Sequence, residues 1–552
     1  MAENVKRKEK NFLVQGSILA VAGVITKIIG AVYRVPLVNI LGDKGMGYYG
    51  VAFQIYAIAL TLTSYSLPLA VSKLVSARTA TGEYKNSYRV FRGAMTFALV
   101  AGGIVGAFIF FGADFIAENL MAMKQSSYAL RVLAPCILIV AFLGVFRGFF
   151  QGNGSMVPTA ISQVIEQIVN AGVSIAGAYL LFKVGTGVDV KKGTKSYGAA
   201  YAAAGGTLGT VIGALSALLF LIVIFLAYKK VLKKQLRRDR GHRRESYQQI
   251  FRVLLITIAP VVLSSTVYNL CGVVDNAMFG KIMAVQGHKE SEYAALLGML
   301  SGKYDTLINV PLAISSSLGA SLIPSLVATA KTGNRRQIHN KIHIFSRFNM
   351  IIAIPCATAF IVLAKPLLDL LFFTENNQIA GRMLQLGALS VVFYCLSTVT
   401  NAVLQGLDNM MVPVKSAAIS LVIHIISLFF MLVVFRWGIY AVVLSKIVFS
   451  ASTCILNGHA LRERIGYVQE QKKTFIIPAI ASVIMGIVAL VVHLLSELFI
   501  GTQIATLITI PIAIVVYGVS LILLGGVSEA ELYEMPKGAL LVKVCRKLRL
   551  FK

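Results

Sequence analysis

Charge is what this sequence has least of. Only 14% of its 552 residues are Asp, Glu, Lys or Arg, where soluble domains carry about 25%. Hydrophobic residues make up 57% and the mean hydropathy is +0.77, which excludes a soluble globular protein of this length. The same apolarity excludes disorder, and glycine lacks the period of three that a collagen-like chain needs. Acids are the scarcest charges: 23 Asp and Glu stand against 52 Lys and Arg, a formal net charge of +29. In so apolar a chain this excess points to basic loops on the cytoplasmic side of a membrane, not to nucleic-acid binding.

Cysteine offers no scaffold. Positions 136, 271, 356, 395, 454 and 545 form no CxxC pair, and five of them lie in apolar stretches. They read as small hydrophobes, with no disulfide frame or metal site expected. His339 and His343 have helical spacing but stand among Asn334, Arg335, Arg336 and Lys341, without a Cys or carboxylate to complete a zinc site. No GxxxxGK[ST] loop occurs, and no extramembrane segment is much longer than 229–249. That leaves no room for a nucleotide-binding or soluble catalytic domain, and no cofactor is expected.

What the sequence does have is long apolar runs. A spanning helix needs about 20 mostly apolar residues, and fourteen stretches qualify. They include 11–40, 47–77, 157–183, 198–228, 250–283, 293–330, 437–460, 474–496 and 502–526. The first is too long for a signal-peptide core. Lys and Arg collect at the N-terminus (Lys6, Arg7, Lys8, Lys10), after span two (Arg78, Lys85, Arg89, Arg92), throughout 229–252, after span eight (Lys331, Arg335, Arg336) and at the C-terminus (Lys543, Arg546, Lys547, Arg549, Lys552). Alternate loops are poorer, apart from 183–195 with its four lysines. Both termini are therefore expected in the cytoplasm. The stretch 229–249 reads as an orienting loop that faces lipid headgroups.

The chain also repeats itself. Gln151-Gly152, Val157-Pro158 and Ala160-Ile161-Ser162 recur as Gln405-Gly406, Val412-Pro413 and Ala418-Ile419-Ser420, with offsets of 405 − 151 = 254, 413 − 158 = 255 and 418 − 160 = 258. Leu74-Val75…Gly82 matches Leu326-Val327…Gly333 at similar offsets. The unit is six spans, an even number, so the copies are parallel and related by an axis along the membrane normal, a transporter architecture. The expected organisation is a six-helix lobe over 1–228, the basic loop 229–249, and a second six-helix lobe over 250–472. Two extra helices over 473–526 and a basic tail over 527–552 follow.

Ionisable groups at membrane depth cost about 2.5–3.5 kcal/mol each and normally face a wet cavity. Lys27 lies near the middle of span one, and Arg34 follows two helical turns later on the same face. Lys27 suits a cavity. Arg34, nearer the outer end, and Lys73, near the cytoplasmic end of span two, suit a cavity or a snorkelling position equally. Arg147 suits a structural contact better than a substrate contact. Lys303 and Asp305 point to different sides of span eight. Asp275 fits a coupling cation or a charge pair, and Glu166, among Gln163, Gln167 and Asn170, fits helix packing better than ion binding. The inventory of Lys27, Arg34, Lys73, Arg147 and Lys303 against Glu166, Asp275 and Asp305 is weighted toward cations, which suits an anionic, phosphate-bearing substrate.

Four segments carry a family resemblance: Thr26-Lys27-Ile28-Ile29-Gly30-Ala31-Val32-Tyr33-Arg34-Val35-Pro36, Leu41-Gly42-Asp43-Lys44-Gly45, Leu67-Pro68-Leu69-Ala70-Val71-Ser72-Lys73 and Phe146-Arg147-Gly148-Phe149-Phe150-Gln151-Gly152. With them the chain resembles the MOP exporter superfamily, in the polysaccharide-transporter branch of SpoVB-, YtgP- and MurJ-type lipid II flippases. The resemblance implies an all-α, MATE-like polytopic fold of fourteen helices, with two lobes around a cationic cavity and the last two helices forming a groove for a lipid tail. It implies a flippase in a bacterial plasma membrane for an undecaprenyl-pyrophosphate-linked sugar, foremost lipid II, driven by a coupling cation or the membrane potential. The other MurJ branch has S-R-x-x-G-x-x-R-D in helix one. Here Lys27 replaces the first Arg, Tyr33 stands at the second, and Arg34 takes the Asp position. Other readings stay open: a different lipid-linked polysaccharide precursor, or a cation-coupled drug exporter, which needs an acidic cavity. A membrane glycosyltransferase needs paired catalytic carboxylates and a sizeable exposed loop, and the sequence offers neither.

Overall fold

The computed structural model describes residues 2–241, 244–330, 334–373, 377–527, 529, 542–543 and 546. Arg243, Lys331, Gly333, Cys545, Lys547, Arg549 and Lys552, and with them most of the tail 527–552, lie outside the described residues. All regular structure among the described residues is helical. Eleven described helical stretches are long and apolar enough to cross a bilayer, so this is a multi-pass membrane protein. The chain divides into two compact units, Met1–Gly302 and Lys303–Lys552.

The first unit holds α1 (Ala2–Thr63), α2 (Leu67–Ala80), α3 (Tyr84–Phe115), α4 (Ser127–Gly152), α5 (Val157–Lys192), α6 (Tyr197–Arg237), α7 (Tyr247–Val285) and α8 (Glu290–Gly298). The first two expected spans meet in α1, which kinks where Gly42 takes φ 64° and ψ 176°. That left-handed conformation costs glycine nothing. The second expected span is itself interrupted after Thr63. Pro68 stands in the first turn of α2, where its missing N–H is no loss. Helix α7, 39 residues long, overlies the seventh expected span.

Without water to drive helices together, membrane helices associate by close packing of small residues. Helices α5 and α6 follow this rule. Gly177 and Gly205 face each other so closely that a Cβ on either would overlap the other's backbone, and a Cβ on Gly213 would stand 2.6 Å from the Glu166 carbonyl oxygen. A second core is aromatic. Phe91 packs against Phe149, Phe225 and Phe146 with centroids 4.8, 5.1 and 5.4 Å apart, pairs worth about 0.5–1.5 kcal/mol each. Large apolar side chains such as Phe111, 83% exposed, cover the outer faces, as lipid contact requires.

The second unit holds α9 (Asp305–Ala330), α10 (Arg335–Val362), α11 (Ala364–Leu371), α12 (Asn377–Gly406), α13 (Met411–Val433), α14 (Ile439–Ile465), α15 (Ile477–Ile500) and α16 (Thr502–Leu523). Leu322, Leu326, Ile342, Val399, Val403 and Leu461 form its core. The last two helices dock on α10 and α11 through Leu363, Met485, Ala489 and Ala513. The Tyr517 hydroxyl donates to the Ile351 carbonyl at 2.8 Å.

Candidate functional site

The residues singled out in the sequence fall into groups. On α1, Lys27 lies in a stretch where Val21, Val24, Ile28 and Val32 are all more than 45% exposed, and its own side chain is exposed. Two turns on, Arg34 is half-buried. One of its terminal nitrogens donates to the Ser301 carbonyl at 3.1 Å, and its Nε is buried with no acceptor among the described residues. A backbone carbonyl orients the guanidinium without cancelling its charge. Lys73 is exposed on α2, and Asp275 is buried on α7.

Arg147 and Glu166 come together. The guanidinium donates to Glu166 Oε2 at 2.7 Å and, through Nε, to Ser162 Oγ at 3.0 Å. Residues 162, 166, 170 and 174 recur every four positions and so share one face of α5. Further along it, Asn170 donates to the Tyr33 hydroxyl at 3.3 Å, and Ser174 donates to the Gly206 carbonyl at 2.8 Å. Glu166 thus belongs to a polar seam that ties α5 to α4. Removing one member of this half-buried ion pair strands the other charge. Arg147→Met is expected to destabilise the detergent-solubilised protein by about 3 kcal/mol, and Arg147→Met with Glu166→Leu should recover most of it. Thermal unfolding of both variants checks this.

The end of the first unit that carries the Gly42 kink is clamped. Residues 43–50 of α1 lie against α8 and the π-helical residues that follow it with almost no gap. A Cβ on Gly298 would overlap the Asp43 carbonyl oxygen, and one on Gly47 would overlap the Ala294 carbonyl oxygen. Gly302 and Gly50 are nearly as tight, with Met46 Cγ at 2.6 Å and Ser301 Oγ at 2.7 Å from where a Cβ would stand. The Tyr293 hydroxyl donates to the Ala122 carbonyl, and the Gln125 N–H donates to Glu290 Oε1 at 3.1 Å. Arg34 joins this seam through Ser301. Burial pushes the Glu290 carboxyl above its usual range, against the opposing pull of the Gln125 and Lys124 N–H groups. A raised carboxyl pKa means that ionisation opposes the folded state. Its stabilising effect is whole below the unfolded value of about 4.3 and is lost as pH rises through the folded value. Glu290→Gln is expected to raise the unfolding midpoint at neutral pH and to change it little below about pH 4. A pH series of melts on both proteins reads this directly.

In the second unit, Asp305 accepts from Lys446 Nζ at 2.9 Å, and Lys446 also lies 5.5 Å from the Tyr304 ring centroid. The Tyr304 hydroxyl is 3.2 Å from Ser390 Oγ, and Lys303 is fully buried. Lys446 was not among the expected site residues. Its signal was available, since it is a lone cation inside the apolar stretch 437–460.

The family model described as polysaccharide biosynthesis protein matches residues 12–330, more than half of the chain and every residue of the kinked α1 site and its seam. The chain belongs to this family, within the MOP superfamily. A second family model, MatE, matches residues 260–430. Among curated relatives, the lipid II flippase MurJ of Bacillus subtilis (strain 168) is 26% identical over 427 residues, covering 75% of this chain and 76% of that one. The same bacterium's membrane protein YabM is 27% identical over 548 residues, 98% of each chain. Among solved structures, a lipid II flippase MurJ in an inward closed conformation superposes with a TM-score of 0.61 at 15% identity, covering 91% of this chain and 97% of that one. The all-helical MOP-type fold expected from the sequence is therefore the fold found.

Proposed function

We propose that this family member is a flippase that carries an undecaprenyl-pyrophosphate-linked cell-wall precursor, foremost lipid II, from the cytoplasmic to the outer leaflet by alternating access. The observation that carries the reading is the charge balance. Arg147 with Glu166 and Lys446 with Asp305 form ion pairs. The intramembrane charges considered are six cations, Lys27, Arg34, Lys73, Arg147, Lys303 and Lys446, against three acids, Glu166, Asp275 and Asp305. Excess positive charge suits a pyrophosphate. A drug-cation exporter needs the opposite sign.

In this reading Lys27 and Arg34 hold the pyrophosphate, with Lys73 as a further contact, and the precursor's tail stays in lipid. The basic flanks argue for cytoplasmic termini, and in that orientation the seam of Gly47 and Gly298 closes the outer side. Opening that seam removes the Ser301 carbonyl from Arg34, which links the gate to the charge that holds the substrate. Cysteine labels within 41–46 are expected to react from outside once the seam opens, and labels within 230–241 only from inside. Outside labelling of 230–241 contradicts the orientation. A different lipid-linked polysaccharide presents the same pyrophosphate to the same residues. Depletion of the protein, followed by measurement of which undecaprenyl-linked precursor accumulates, separates these substrates. Accumulation of none contradicts the reading.

A further inference from the structure

Helix α6 is 41 residues long, about 61 Å at 1.5 Å per residue, twice the hydrocarbon thickness of about 30 Å. Its C-terminal turns therefore project beyond the apolar layer. Over these turns Leu232 is buried and Tyr228 and Leu236 pack against the aromatic core. That contact fixes the helix's rotation and turns Lys229, Lys230, Lys233, Lys234 and Arg237 outward, all of them exposed. Leu226 and Ala227 are exposed apolar residues, and Lys229 and Lys230 come just after the inward-packed Tyr228, so the lysines begin where the apolar surface stops.

The chain after α6 is a strap, not a free loop. The Arg240 N–H donates to the Gly82 carbonyl at 3.0 Å, the Lys85 N–H donates to Asp239 Oδ1 at 2.9 Å, and Arg78 grips Glu245 at 2.6 Å. Glu83 accepts from Asn86 at 2.9 Å. The three acids of the segments 78–92 and 229–245, Glu83, Asp239 and Glu245, are thus all engaged within the protein. The same segments hold twelve described Lys and Arg residues, so the outward surface is positive and held in place.

We propose that this end of the first unit is a docking surface for the phosphate headgroups of anionic membrane lipids, with the lysine face of α6 as its main contact. The charge is complementary. Juxtamembrane cations within a Debye length of an anionic leaflet are attracted to it, and salt screens the attraction. The surface is separate from the residues assigned to the flippase, so it stands or falls apart from that reading.

The test adds phosphatidylglycerol or phosphatidylcholine to the full-length, detergent-solubilised protein and reads the unfolding midpoint. Phosphatidylglycerol is expected to raise it more, because a ligand of the folded state stabilises it by mass action. About 0.5 M NaCl should at least halve the difference. Replacing Lys229, Lys230, Lys233 and Lys234 by Gln should do the same, while replacing them by Arg preserves it. The midpoint in phosphatidylcholine shows whether the Gln variant is folded. If it is not, the salt response of the unaltered protein decides. A Gln variant that keeps the full preference, a preference indifferent to salt, or an unaltered protein with no preference each overturns the proposal. The last outcome leaves an acidic protein as the partner to seek.

Discussion

Gly298→Val is expected to abolish transport while the protein still inserts and accumulates. The added carbons would enter the space of the Asp43 carbonyl oxygen, and backbone cannot rotate away as a side chain can. Overpacking of this kind costs about 1–3 kcal/mol. The cost falls only on the conformation in which the seam is closed. The balance between closed and open seams should shift by roughly five- to 150-fold toward open. A cysteine placed at Lys44 should then label faster than it does with Gly298 intact. Gly103 on α3 has nothing within 4 Å of where a Cβ would stand, so Gly103→Val is the matched control and should leave labelling unchanged. Equal labelling in both variants would mean that the glycine contact is not a gate.

Lys27→Met should abolish complementation of a flippase-deficient strain at normal expression. Methionine keeps most of the volume and removes the charge. The site lies in an exposed stretch of α1, so the folded protein should be little disturbed. Loss of one charged phosphate contact costs about 1.5–3 kcal/mol, a tenfold or greater drop in binding. Lys27→Arg keeps the charge but changes a point donor into a planar fork and should retain partial function. Full complementation by Lys27→Met would make Lys27 a snorkelling residue.

Helical periodicity and apolar runs were enough to read the all-helical class and its membrane setting, because a span is a local property of about 20 residues. The family was equally legible in the short segments around Lys27, Asp43, Pro68 and Arg147. Contacts distant in sequence were not. Gly47 and Gly298 are each ordinary glycines until α8 is laid on α1, and nothing local in either segment names the other. Arg147 and Glu166 read as separate residues in sequence, although the 2.7 Å contact makes them one unit. The kink at Gly42 reads as an interhelical turn in sequence, yet only Gly42 leaves the helical conformation. The segment 229–249 reads as a loop from its charge. Leu232 and Leu236 nonetheless anchor its first half as helix, and Asp239 and Glu245 hold their own positions against Lys85 and Arg78.

The most direct test of the flippase reading is transfer itself. The purified protein would be reconstituted into vesicles with a fluorescent lipid II on one leaflet, and the fraction reaching the other leaflet followed by accessibility to an impermeant quencher. The account predicts transfer well above that of protein-free vesicles, lost with Lys27→Met and with Gly298→Val and retained in part with Lys27→Arg. Transfer no faster than in empty vesicles, for lipid II and for other undecaprenyl-pyrophosphate-linked sugars alike, would contradict it.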